Sequence, residues 1–127
     1  MTRILVIGYA PEDVDFTDPA IPPDMNAEKV AKGIEEDMEK LHAKGWEADH
    51  LAIFAKSDLR KCILDQLKKH NYDCIVIGGG VRLTTRRIPQ LEIVINAVKE
   101  GAPDTPIAFN AGPEFSSEAA ARWVERG

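Results

Sequence analysis

Cysteine is scarce in this chain, and the two that occur, Cys62 and Cys74, stand in no CxxC or Cys-His spacing. That spacing offers neither a disulfide framework nor a zinc site built on thiolates. Cys74 lies inside an apolar run and is expected as a small buried hydrophobe, with Cys62 partly buried on a helix. Long hydrophobic stretches are missing as well. No segment approaches the roughly 20 apolar residues that span a bilayer, and the opening MTRILVIGYAPEDVDF lacks the charged, apolar and small-residue order of a signal peptide. The expectation is a cytosolic protein with no membrane partner. Nor is there an excess of positive charge, since 16 Lys and Arg stand against 21 Asp and Glu, a net charge of −5. A nucleic-acid or anionic-membrane surface draws on a pronounced basic face, so nucleic acid is not an expected partner and only a local basic patch remains open. Repeats and low-complexity segments are absent. So are GxGxxG and GxxxxGK[ST], which removes the dinucleotide and P-loop fingerprints. The three histidines, His42, His50 and His70, fall near predicted helix ends or a strand start, where dipole and surface roles are commoner than catalysis.

What is present is the profile of one globular domain over residues 1–127, 44% hydrophobic and 29% charged. Arg3 to Tyr9, RILVIGY, is an apolar β-branched run without polar alternation, the pattern of a central strand covered on both faces. After it, APEDVDFTDPAIPPD has no period and exceeds the 2–6 residues or so usual for a βα connection, so it reads as an ordered acidic flap. From Met25 to Lys44, Val30, Ile34, Met38 and Leu41 recur at helical spacing, with Asp24 as the expected cap and Gly45 as the stop. Trp46 to Ala55 suits an edge strand, and Ser57 is the expected cap of a helix carrying Leu59, Ile63, Leu64 and Leu67. Tyr72 to Ile77 is a second buried strand. Pro89 fits the first turn of a helix that closes at Gly101. Pro106 to Asn110 reads as the fourth strand, and Ser116 or Ser117 as the cap of the last helix.

The order βαβαβαβα and the right-handed crossover rule predict an α/β fold, a doubly wound three-layer sandwich around a four-stranded parallel sheet in the flavodoxin-like order 2-1-3-4. In such a sheet, ligands bind outside the C-terminal strand ends where the order reverses, here between the first and third strands. That address is expected to bring together Gly8 and Tyr9, the flap, Gly78 to Arg87, and Asn110 to Glu114.

The segments YDCIVIGGG and APDTPIAFNAG, separated by a helix, resemble the third and fourth strands of response-regulator receiver domains. That resemblance implies the doubly wound fold. It does not extend to phosphorelay: Gly78 stands where a receiver keeps its phosphoacceptor aspartate, Gly8-Tyr9 where it keeps its acidic pair, and Asn110 near its threonine. Aspartyl phosphorylation needs the carboxylate as nucleophile and the pair to hold Mg²⁺. Taken whole, with GYAPEDVDFTDPAIPPDM, GGGVRL and AFNAGPE, the chain also resembles a group of small uncharacterised bacterial flavodoxin-like proteins, which implies no activity.

The segment VIGGGVRLTTRR carries the most chemistry. Glycines 78 to 80 let backbone N–H groups approach an anion, Thr84 and Thr85 add hydroxyl donors, and Arg82, Arg86 and Arg87 add charge. The plainer reading gives the glycines positive φ angles in a turn and leaves the arginines solvated. The candidate ligand-binding residues are therefore Gly8, Tyr9, Gly78, Gly79, Gly80, Arg82, Thr84, Arg86, Arg87 and Asn110, with Tyr9 and Asn110 orienting. In the flap, Glu12, Asp13, Asp15, Asp18 and Asp24 match no EF-hand spacing, so no metal is assigned. Asx turns at Asp15 and Asp18, and pairing of an acid with Arg82 or Arg86, are the structural alternative, with Val14 and Phe16 as apolar anchors. The functional expectation is a binding module for a phosphorylated or carboxylated small molecule, with no cofactor named. Two alternatives stand beside it: a small hydrolase or transferase using Asp13, Asp15 or Glu114, and a receiver-like interaction domain. Open sheet edges, with Trp123 on the last helix, raise a homodimer as a further expectation.

Overall fold

A computed structural model describes residues 1–125 of the chain. Four strands, β1 (Arg3–Tyr9), β2 (Glu47–Ile53), β3 (Cys74–Ile77) and β4 (Ile107–Phe109), form one sheet in the order β2-β1-β3-β4. All three pairings are parallel, with Val6 facing His50 across β1 and β2 and Val76 across β1 and β3. Among the described residues five α-helices connect and flank them: α1 (Ala27–Ala43), α2 (Leu59–Leu67), the single turn α3 (Gly79–Arg82), α4 (Ile88–Gly101) and α5 (Ser116–Val124), with a short 3-10 turn at Pro11–Asp13 in the flap. This is the predicted flavodoxin-like α/β sandwich. The continuous apolar runs have a direct cause, because alternate residues of β1 and β3 enter opposite cores. Leu5, Ile7, Tyr9, Ile75 and Ile77 pack with Leu59, Ile63, Val81, Val94 and Val98. Ile4, Val6, Cys74 and Val76 pack on the other face with Leu41, Ala119 and Ala120. Cys74 is fully buried there, and burial pushes its thiol up to about 11. Among the described residues no helix is long and apolar enough to cross a membrane.

The caps differ from the sequence reading. Asn26, not Asp24, caps α1 by accepting from the Lys29 N–H at 2.9 Å. Asp58 caps α2 through the Lys61 N–H, while the neighbouring Ser57 hydroxyl donates to the Phe54 carbonyl. In both places the capping side chain is the one directly before the first helical residue, from which an amide or carboxylate oxygen reaches the N3 N–H. No side chain of Phe115, Ser116 or Ser117 caps α5. The Ser116 N–H donates instead to Asp37 Oδ1 on α1 at 2.8 Å, so a carboxylate from another helix performs the capping. Gly45 closes α1 at φ 80°, as expected, and it is the only glycine at positive φ among the described residues. Glycines 78 to 80 therefore do not make the turn that positive φ would require. Gly78 has φ −69° and ψ 156°. A Cβ at Gly78 would lie 3.2 Å from the Ile7 carbonyl oxygen, so closeness to β1 explains that glycine.

Candidate functional site

At the C-terminal edge of the sheet lies a cavity of about 580 Å³. Its floor is the α1-side face of β1 and β2, formed by Val6, Gly8 and His50, and its inner wall is Gly78, Gly79 and Gly80. A Cβ at Gly79 or Gly80 would make only ordinary contacts, at 3.7 Å from Asn110 Oδ1 and from Val14 respectively. The bare backbone there keeps the cavity open. The outer wall is α1, through Val30, Gly33 and Ile34, and the flap closes over it with Val14, Phe16, Ile21 and Met25. The segment from Asn110 to Phe115 completes the rim. Apolar side chains dominate, which is the usual character of a small-molecule pocket.

The flap is held from outside the cavity. Asp18, 3% exposed, accepts from the Thr85 N–H and hydroxyl at 2.8 Å each, from the Arg86 N–H at 3.2 Å and from the Thr84 hydroxyl at 3.3 Å. It also makes its own Asx turn with the Ala20 N–H at 3.0 Å. Burial by itself would raise the Asp18 carboxyl. The hydrogen bonds from Ala20, Thr85 and Arg86 outweigh it and hold the group well below the usual carboxylate range. Arg86 lies 3.5 Å from Asp15 and also donates to the Thr17 hydroxyl. Arg87 donates to the Asp13 carbonyl at 2.6 Å and sits over the Tyr9 ring, 4.7 Å from its centroid. Asp13 in turn accepts from the Ala55 N–H at 2.8 Å, tying the flap to the end of β2.

Of the residues singled out in the sequence, Gly8, Tyr9, Gly78, Gly79, Gly80 and Asn110 line the cavity. Strand alternation sends the Tyr9 side chain with Leu5 and Ile7 into the opposite core, so its ring packs beneath the flap. Arg82, Thr84, Arg86 and Arg87 are not on the cavity wall. Arg82 donates to the Asn110 carbonyl at 3.2 Å, and the other three fasten the flap. Asp13 and Asp15 belong to that fastening too, whereas Glu114 stands on the rim. Among the described residues no three His, Cys, Asp or Glu side chains converge on a metal position.

Three cavity features escaped the sequence reading. His50 reaches the floor from β2, and burial lowers its imidazole below the ordinary value. Asp37, 2% exposed, lines the α1 wall and accepts from the Ser116 backbone N–H. Burial nonetheless pushes its carboxyl up. The Asn110 amide donates to the Ser116 Oγ at 3.0 Å, so α1, α5 and the end of β4 share one buried polar chain. Asp37 carried a legible signal, an acid within the apolar stripe of Ile34, Met38 and Leu41. His50 carried none, because its strand alternates polar and apolar residues as any edge strand does.

Compared with protein-family models and with curated proteins, the sequence matches none.

Proposed function

We propose that this domain is a small-molecule binding module whose ligand occupies the cavity over Gly8 and Gly78 to Gly80. The observation that carries the reading is the cleft itself, about 580 Å³ of mostly apolar space at the reversal of strand order, beneath a flap held by four hydrogen bonds to one aspartate. The ligand class follows from where the charge lies. Arg86 and Arg87 engage Asp15, Thr17 and Asp13, and Arg82 engages the Asn110 carbonyl. A phosphorylated or carboxylated ligand would find the arginines that suggest it turned to the flap. An uncharged, largely apolar molecule with few polar atoms suits the lining better.

The test is native mass spectrometry and thermal shift with a panel of uncharged aromatic and alicyclic molecules, run beside a matched phosphate and carboxylate panel. Micromolar to millimolar binding from the uncharged panel is expected. The Ile34→Trp variant, which enlarges a side chain of the lining, is expected to lose that binding while melting cooperatively. Stabilisation by no uncharged molecule, or by the anionic panel alone, would defeat the proposal.

A further inference from the structure

Two buried polar atoms of the lining have no partner among the described residues: the Tyr9 hydroxyl, whose ring packs into the opposite core, and Asn110 Oδ1, whose amide is held through its other atom. The remaining polar side chains around the cavity have an evident occupation except one. Asp37 is bound to Ser116, Asn110 donates to the Ser116 hydroxyl, and Lys29 donates to the Asp24 carbonyl at 2.7 Å. Lys32, Glu36 and Asp24 are exposed on the outer rim, with Glu114 nearby, where water satisfies them. His50 is different. It lies on the floor between Val6, its partner across the strands, and Gly8. Trp46 and Ala48, four and two residues earlier on the same face, pack into the α1-side core, so alternation places the imidazole on the cavity side of the sheet. No hydrogen bond, ion pair or ring contact joins its side chain to another described residue. Its Nε2 would be 3.7 Å from a Cβ on Gly8, and Gly8 has none. The nitrogen therefore faces cavity space across bare backbone.

A neutral imidazole has one donor and one acceptor, and leaving such groups unmatched against an apolar ligand costs about 1–3 kcal/mol. We infer that His50 is a specificity-determining residue of the cavity, selecting an uncharged ligand that carries a protic head group, a hydroxyl or a ring N–H, at its buried end. The inference rests on the cavity reading above and adds the chemistry of one end of the ligand. A fully apolar molecule would bury the imidazole nitrogens unpaired. A charged head would meet no free counter-charge on the floor, since the nearest carboxylate on the wall, Asp37, is committed to Ser116.

Isosteric probe pairs test it: phenol against toluene and indole against indene, titrated by ¹⁵N-HSQC at pH 7.5 with the whole chain. In an apolar cavity without a polar partner, toluene binds better than phenol because the hydroxyl is left unpaired. The wild type is expected to bind phenol and indole at least as tightly as their hydrocarbon partners, with the His50 ring signals shifting. His50→Phe is expected to reverse the preference by roughly 10-fold, and His50→Gln, which keeps a donor and an acceptor, to retain it. If toluene and indene bind the wild type more tightly than phenol and indole, the inference is wrong and the cavity reading survives. The inference fails in the same way if His50→Phe leaves the wild-type preference unchanged, with His50→Leu read by the same criterion should the Phe variant fail to fold. If none of the four probes binds the wild type, the inference and the cavity reading are overturned together.

Discussion

Gly33→Ala sets two effects of opposite sign against each other at the outer wall of the cavity. Gly33 lies in the interior of α1, where alanine is better than glycine by about 1 kcal/mol on helix propensity alone. The new Cβ, however, would meet Pro113 Cγ at 2.8 Å and Pro113 Cβ at 2.9 Å, with Glu114 Oε2 at 3.3 Å. The glutamate is the end of a flexible chain and can move aside. The proline is a closed ring in the rim segment, and two of its carbons are overlapped at once, so either α1 or the rim must shift. Overpacking of this kind typically costs 1–3 kcal/mol or so, and two stiff contacts put Gly33→Ala near the upper end. The expected net is a loss of about 1–2 kcal/mol, or a fall in Tm of roughly 4–8 °C for a domain of this size. Urea unfolding by circular dichroism measures it, with unchanged m showing that the denatured state is not the cause. A variant as stable as the wild type, or more stable, would refute the reasoning, because propensity would then have won over the contact.

Two further expectations concern the aspartates. Asp37 titrates above its ordinary value because of burial, so the native state holds its proton more tightly than the unfolded chain. Its contribution to stability is complete below the unfolded value of 3.8 and is lost as pH rises through the raised native value. Asp37→Asn keeps an acceptor for the Ser116 N–H and removes the titration, so its stability between pH 4 and 8 is expected to be flatter than wild type and equal or higher at pH 7. Asp37→Ala instead leaves the buried Ser116 N–H unmatched and is expected to cost about 1–3 kcal/mol; matching pH slopes for the wild type and Asp37→Asn would contradict the assignment. For Asp18→Ala, hydrogen exchange at the Thr85 and Arg86 amides is expected to accelerate, with Val94 and Val98 in α4 unchanged. Uniform acceleration across α4 would mean that Asp18 supports the whole fold rather than the flap.

The fold was legible because its signals are local and repeated. RILVIGY and CIVI are unbroken apolar runs, each helix shows its stripe, and the crossover rule converts their order into the sheet 2-1-3-4. Part of the site followed from that topology, since Gly8, Gly78 to Gly80 and Asn110 sit at the strand ends the order specifies. The arginines show where such reasoning stops. VRLTTRR supplies charge near the cavity, but side-chain direction is decided by competition, and the acids at 13 and 15 are near enough to win Arg87 and Arg86. The caps failed for a related reason. A hydroxyl or carboxylate next to a helix start is a sound local signal, yet Asp37 reaches the start of α5 from 79 residues away. His50 was silent, because only the pairing of β2 with β1 places it over a glycine.

The wall of the cavity and the tether of its cover belong to one short piece of chain. Gly78 to Gly80 face the interior, the single turn of α3 follows, and Thr84 to Arg86 grip Asp18. Only the single turn of α3 and Leu83 separate the glycines of the wall from the residues that hold the flap, so wall and tether cannot be altered in sequence far from one another. The tether end of that piece reaches the protein surface, where Thr85 and Arg86 are exposed.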